Sequence, residues 1–111
     1  MTPEPALRPA GWYQQDGTWY YADGKGSNVT DKWIKSSGKW YHLGADGAMR
    51  TGWAKQGGDW YYLSSSGAMK TGWLKLGSSW YYLKPSGAMV TGQYTIDGRL
   101  NRFASNGVWQ G

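Results

Sequence analysis

Cysteine is absent from the 111 residues, which excludes a disulfide framework and any thiolate metal site. No apolar run approaches the length a bilayer needs, so no membrane span is expected. Histidine occurs once, and neither a paired-carboxylate site, a Ser-His arrangement nor a metal cluster stands out, so an enzyme is not expected and no cofactor is implied. Branched aliphatics are scarce: Leu, Ile and Val number twelve, against nine Trp, nine Tyr and one Phe. The apolar material is therefore made of rings and not of the side chains that fill ordinary cores. Eighteen glycines argue against helices and for a turn-rich β-type chain. The opening "MTPEPALRPAG" has no apolar core segment and does not read as a secretory signal. With three prolines in its first nine residues, the stretch 1–10 is expected to be a stiff linker or an appended end. The net charge of +5 suits a polyanionic environment, although the basic residues are scattered as on a solvated surface.

Internal repetition is the strongest signal. Three blocks align without a gap: "WIKSSGKWYHLGADGAMRTG" from Trp33, "WAKQGGDWYYLSSSGAMKTG" from Trp53 and "WLKLGSSWYYLKPSGAMVTG" from Trp73. A looser copy begins at Trp12 and a degraded one at Gln93, so 11–111 divides into units 12–32, 33–52, 53–72, 73–92 and 93–111. Each unit reads as a β-hairpin: a short strand, a polar Gly-bearing turn, then an aromatic strand such as "WYYL" from Trp60 to Leu63. Asp16-Gly17 and Asp97-Gly98 are strong two-residue turn signals, whereas the Trp73 block shifts its glycine to Gly77, and both two-residue and bulged turns remain open. A lone hairpin is marginal in water. The expected fold is therefore all-β, a β-solenoid of stacked hairpins built from about five 20-residue repeats.

The pattern "TGW-x-K-x-x-G-x-WYYL-x-x-x-GAM-x-TGW" resembles the cell-wall-binding repeat of choline-binding modules from Gram-positive surface proteins and phage lysins, and is related to glucan-binding repeats. The resemblance covers Gly11 to Gly111. It implies ligand sites between consecutive repeats, each taking a unit's first Trp, the Trp of its "WYY", a Tyr from the following unit and often a Met from the intervening "GAM". Carried over by position, a first site comprises Trp12, Trp19 and Tyr41, with Val29 where Met would stand. A second comprises Trp33, Trp40, Met49 and Tyr61, and a third Trp53, Trp60, Met69 and Tyr81. A fourth would take Trp73, Trp80 and Met89, but Asn101 replaces its Tyr and leaves the cage open unless Phe103 closes it. Tyr21, Tyr62 and Tyr82 are expected in the core, and His42 as a structural stand-in for the second Tyr.

A quaternary ammonium has no N–H to donate, and its methyl-clad charge suits the negative faces of several rings. The function expected from the resemblance is a non-catalytic module that recognises choline, carried as phosphocholine on teichoic acid, and attaches a larger protein to the wall outside the cell. Lys32, Lys35, Lys55 and Lys75 would then meet phosphate. A glucan-binding module, stacking rings on sugars, is the alternative. Binding of single-stranded nucleic acid is disfavoured because no Lys/Arg stripe accompanies the rings. Pairing of two copies through the atypical last repeat is a further expectation.

Overall fold

The computed structural model describes residues 10–111. Of the expected N-terminal linker, residues 1–9 lie outside the described part, and Ala10 is an exposed bend. Ten five-residue strands form five antiparallel hairpins: β1 (Gly11–Gln15) with β2 (Thr18–Ala22), β3 (Lys32–Ser36) with β4 (Lys39–Leu43), β5 (Gly52–Gln56) with β6 (Asp59–Leu63), β7 (Gly72–Leu76) with β8 (Ser79–Leu83), and β9 (Gly92–Ile96) with β10 (Arg99–Phe103). Every strand pairs only within its own hairpin, so the architecture is an all-β repeat solenoid and not a continuous sheet. The described residues fall into two compact units, one ending at Arg50 and the other Thr51–Gly111.

All five hairpins close with two-residue loops, as the pairings Gln15↔Thr18, Ser36↔Lys39, Gln56↔Asp59, Leu76↔Ser79 and Ile96↔Arg99 require. In four of them both loop residues have positive φ, including Asp16, Ser37 and Asp97 near 50°, the conformation whose twist matches paired strands. The remaining loop, Gly77-Ser78, has positive φ at Gly77 alone. That is the pattern of a type II′ turn, which needs glycine first and accepts serine second. The displaced glycine is thus the correct residue for a different turn, not a defect in the repeat.

After each hairpin a second tight loop returns the chain. Gly44 N–H donates to Ala48 O at 3.0 Å and Gly47 N–H to Gly44 O at 2.9 Å, and the same pair of bonds recurs at 64–68, 84–88 and 104–108. The return sets Met49 beside Leu43, Met69 beside Leu63, Met89 beside Leu83 and Trp109 beside Phe103 as isolated bridges. Leu43, Leu63 and Leu83 are fully buried, with Ala22 and Phe103 nearly so. The last residue of each hairpin's second strand is therefore buried, and each of the three leucines contributes about 1.5–3 kcal/mol by removal from water. The last hairpin departs from this economy: Val90, Ile96 and Phe103 cluster, with Tyr82 and Tyr94 packed against them. This small conventional core fits the capping role of a terminal repeat.

Candidate ligand-binding pockets

Hairpin register decides which rings share a face. In the Trp53 hairpin, Trp53 lies opposite Tyr62 and Lys55 opposite Trp60, so these four side chains alternate onto one side of the ladder. Tyr62 packs edge-on to Trp53 with ring centroids 5.1 Å apart. Tyr21 on Trp12 and Tyr82 on Trp73 do the same, at 5.2 and 5.1 Å. The second Tyr of each repeat is thus a half-buried prop for the pocket Trp and not a core residue proper. His42 takes that place under Trp33, with ring centroids 4.8 Å apart, as a structural substitute should. The other Trp of each pair is left in the open: Trp19, Trp40, Trp60 and Trp80 are 38–41% exposed. Large aromatics repeatedly exposed at one position mark a binding surface and not a core.

In the second unit, Trp53, Trp60, Tyr81 and Met89, with Ser105 and Asn106, line a pocket of about 310 Å³. Tyr81 stands edge-on to Trp53 with centroids 5.1 Å apart and planes inclined by 67°. The thioether here is Met89, not the expected Met69. The reason lies in the backbone: Met89 N–H donates to Trp60 O at 2.8 Å, so the return segment of the following repeat is tied to the exposed Trp of the preceding hairpin. Met69 lies instead against Tyr61, since a Cβ on Gly87 would strike both the Met69 sulfur and the Tyr61 ring. Met69 and Met89 therefore each lie with the Tyr of their own repeat, Tyr61 and Tyr81.

The first unit repeats the relationship. Trp12 and Trp19 meet at 6.5 Å and 85°, Tyr41 packs edge-on to Trp12 at 5.1 Å and 70°, and Met49 N–H donates to Trp19 O at 2.9 Å. Met49 thus stands with Trp12, Trp19 and Tyr41 and not in the set expected for it. Val29 is not the Met equivalent either: the bridge to Ala22 is made by Asn28, which accepts the Tyr13 hydroxyl at 2.8 Å, and Val29 N–H bonds Tyr21 O. Of the second set, Trp33 and Trp40 occupy the face of the β3–β4 hairpin in this unit, and Tyr61 lies on β6 of the other.

A further pocket of about 420 Å³ is lined by Trp73, Trp80 and Trp109. Trp80 and Trp109 stand at 89° and 77° to Trp73, with centroids 6.1 and 5.6 Å away. Met89, expected here, lines the preceding pocket. Phe103 packs on Trp73 at 5.9 Å but is buried and does not line the opening. Trp109 was missed in the sequence, although aligning "GVWQG" with "GAMVTG" puts it at the methionine position.

Lysines flank the rings. Lys35, Lys55 and Lys75 lie cross-strand from Trp40, Trp60 and Trp80, their Nζ atoms 5.9, 5.8 and 5.7 Å from the ring centroids. The four Asp-Gly pairs serve two purposes. Asp16 and Asp97 open hairpin loops, whereas Asp23 and Asp46 accept backbone N–H groups two residues on, from Lys25 and Ala48. Those bonds hold both carboxyls below the usual range, helped at Asp46 by Arg50 3.0 Å away.

Comparison with known proteins agrees with this construction. The choline-binding repeat family matches residues 29–71 and 50–94, and a cell wall binding repeat matches 10–27. Choline binding protein F from Streptococcus pneumoniae is 47% identical over 91% of this chain and 35% of its own, with a TM-score of 0.82. CbpJ from the same organism is 46% identical over 91% and 35%, also with a TM-score of 0.82. A pneumococcal cell wall endolysin from phage Cp-1, solved with choline, is 40% identical over 91% of this chain and 30% of its own, with a TM-score of 0.65. This chain thus spans about a third of the length of these solved relatives. No curated protein sequence matched. With four Trp-bearing hairpins, the aromatic pockets of the second unit and a family match over more than half its length, the chain belongs to the choline-binding repeat family.

Proposed function

We propose that this chain is a non-catalytic wall-binding module that holds the choline groups of teichoic acid in its aromatic pockets and so attaches a larger protein to a Gram-positive wall. One observation carries the reading: the pocket of Trp53, Trp60, Tyr81 and Met89 presents rings from two hairpins and a thioether from the return segment after the second, and has no charged side chain in its lining. A carboxylate would favour Lys or Na⁺ as readily as choline, whereas ring faces favour a weakly hydrated, methylated cation. The phage endolysin solved with choline, a family relative, supports the choice of ligand.

Each ring contact contributes about 0.5–2 kcal/mol. After the cost of immobilising the ligand, one pocket should bind choline on the order of millimolar. A single pocket is a poor anchor, but repeats facing a polymer gain by effective concentration, about 10²–10⁴ in avidity. Lys35, Lys55 and Lys75, stationed beside Trp40, Trp60 and Trp80, meet the phosphate that carries each choline. The net charge of +5 then fits an anionic polymer decorated with cations.

The test is retention on a tertiary- or quaternary-amine resin. Elution by free choline and not by dextran is expected; the reverse would overturn the reading in favour of a glucan-binding module. Salt should weaken binding to teichoic acid more steeply than binding to free choline, and equal slopes would remove the role given to the lysines.

A further inference from the structure

Position by position, the pocket of Trp73 and Trp80 departs from the repeat. The aligned tyrosine is Asn101 and the aligned methionine is Trp109, so two of the four usual walls are gone. The two substitutions are coupled. Asn101 is 5% exposed, and its Oδ1 accepts the Trp109 indole N–H at 3.0 Å, while its Nδ2 donates to Arg99 O at 3.0 Å. Trp109 is held from its backbone as well, by N–H to Trp80 O at 2.7 Å, the counterpart of the Met89 N–H to Trp60 O bond at the pocket before it. The indole N–H is thereby occupied inside the protein. The ring borders the opening, itself 39% exposed.

We propose that the last hairpin completes a second type of cation site, a three-indole corner of Trp73, Trp80 and Trp109, in which Asn101 is the positioning residue for Trp109. The proposal rests on the choline reading above but concerns walls that the repeat pattern does not contain. Tryptophan is the best of the aromatic partners for a cation, and the planes of Trp80 and Trp109 each stand at a steep angle to that of Trp73, so a tetrahedral, methylated charge can meet more than one face at once. No tyrosine hydroxyl or flexible thioether lines this pocket, which at about 420 Å³ is also roomier than the about 310 Å³ of its neighbour. A quaternary ammonium with larger substituents than choline fits it better than it fits the pocket of Tyr81 and Met89.

The experiment is a titration of the whole chain with choline and then with benzyltrimethylammonium, following the indole N–H resonances assigned by single Trp substitutions. Choline should move the Trp73, Trp80 and Trp109 signals as well as those of Trp53 and Trp60, and the bulkier cation should favour the three-indole pocket. Movement at Trp53 and Trp60 with none at the other three overturns this proposal and leaves the choline reading standing; no movement anywhere overturns both. Trp109→Ala should weaken binding at Trp73 and Trp80 by about 2- to 30-fold and leave the Trp53 pocket unchanged. Asn101→Ala should expose the Trp109 indole N–H to rapid exchange and weaken the same pocket alone. A slow-exchanging Trp109 N–H and full affinity in that variant would remove Asn101 from the role.

Discussion

The backbone N–H of Met89 donates to the carbonyl of Trp60 at 2.8 Å. Through that bond a residue from the return segment of one repeat becomes a wall of the pocket begun by another. Met89→Ala should therefore weaken choline binding at Trp53 and Trp60 by about 1 kcal/mol, roughly fivefold. Met69→Ala should leave that pocket unchanged. Indole shifts of Trp53 and Trp60 in the two variants decide between the assignments, and the opposite ranking would restore Met69 to the pocket.

Leu43, Leu63 and Leu83 occupy the same position in three successive repeats, all fully buried. Leu63→Ala removes a side chain that is fully buried. Thermal or denaturant unfolding should show a loss of about 2–5 kcal/mol. Substitution of the exposed Leu100 by Ala should cost far less, and equal losses would mean that the leucine row is not the core.

Turn chemistry is open to a direct trial. Ser37 holds a φ of 51°, where a side chain is strained, so Ser37→Gly should raise stability by about 0.5–1 kcal/mol. Gly77→Ala should lower it by about 1 kcal/mol or more, because Gly77 alone carries positive φ in its loop. Unfolding midpoints of both variants check the two signs.

Asp46 gives a pH dependence. Its carboxyl is held below the ordinary value of 3.8, chiefly by the Ala48 N–H and also by Arg50. A depressed folded value contributes stability that is fully present above the unfolded pKa and is lost as pH falls through the folded one. Unfolding at pH 2.5 against pH 6 should thus show a small loss in the wild type that is reduced in Asp46→Asn, which keeps the turn acceptor but cannot titrate. Solvent screening of this exposed carboxyl keeps the effect small. An undiminished loss in the variant would assign the acid sensitivity elsewhere.

How much of this was legible beforehand differs by residue. The hairpins were, because the repeat, the aromatic strands and Asp16-Gly17 each encode them locally. Trp12 with Trp19 and Tyr41, and Trp53 with Trp60 and Tyr81, come together as the positional pattern implies. The methionines did not, since which repeat's Met faces which Trp depends on a backbone bond between hairpins that no periodicity reveals. Met49, Met69 and Met89 are identical in the alignment whichever neighbour they serve. Trp109 escaped for a related reason: a motif scan for Met passes over a tryptophan that keeps the same backbone bond. The loop at Gly77-Ser78 was visible as an exception, but only its dihedral angles turned the exception into a second turn type.

The borrowed wall also changes what the last repeat is for. In the second unit three hairpins enclose two pockets, as three posts bound two gaps in a fence. The final post needs no tryptophan pair of its own, and Gln93 and Leu100 stand where one would be. Deleting that post would leave Trp73 and Trp80 in the chain and remove the Trp109 wall of the pocket they begin, so in this unit the number of aromatic pockets follows the number of junctions and not the number of motif copies.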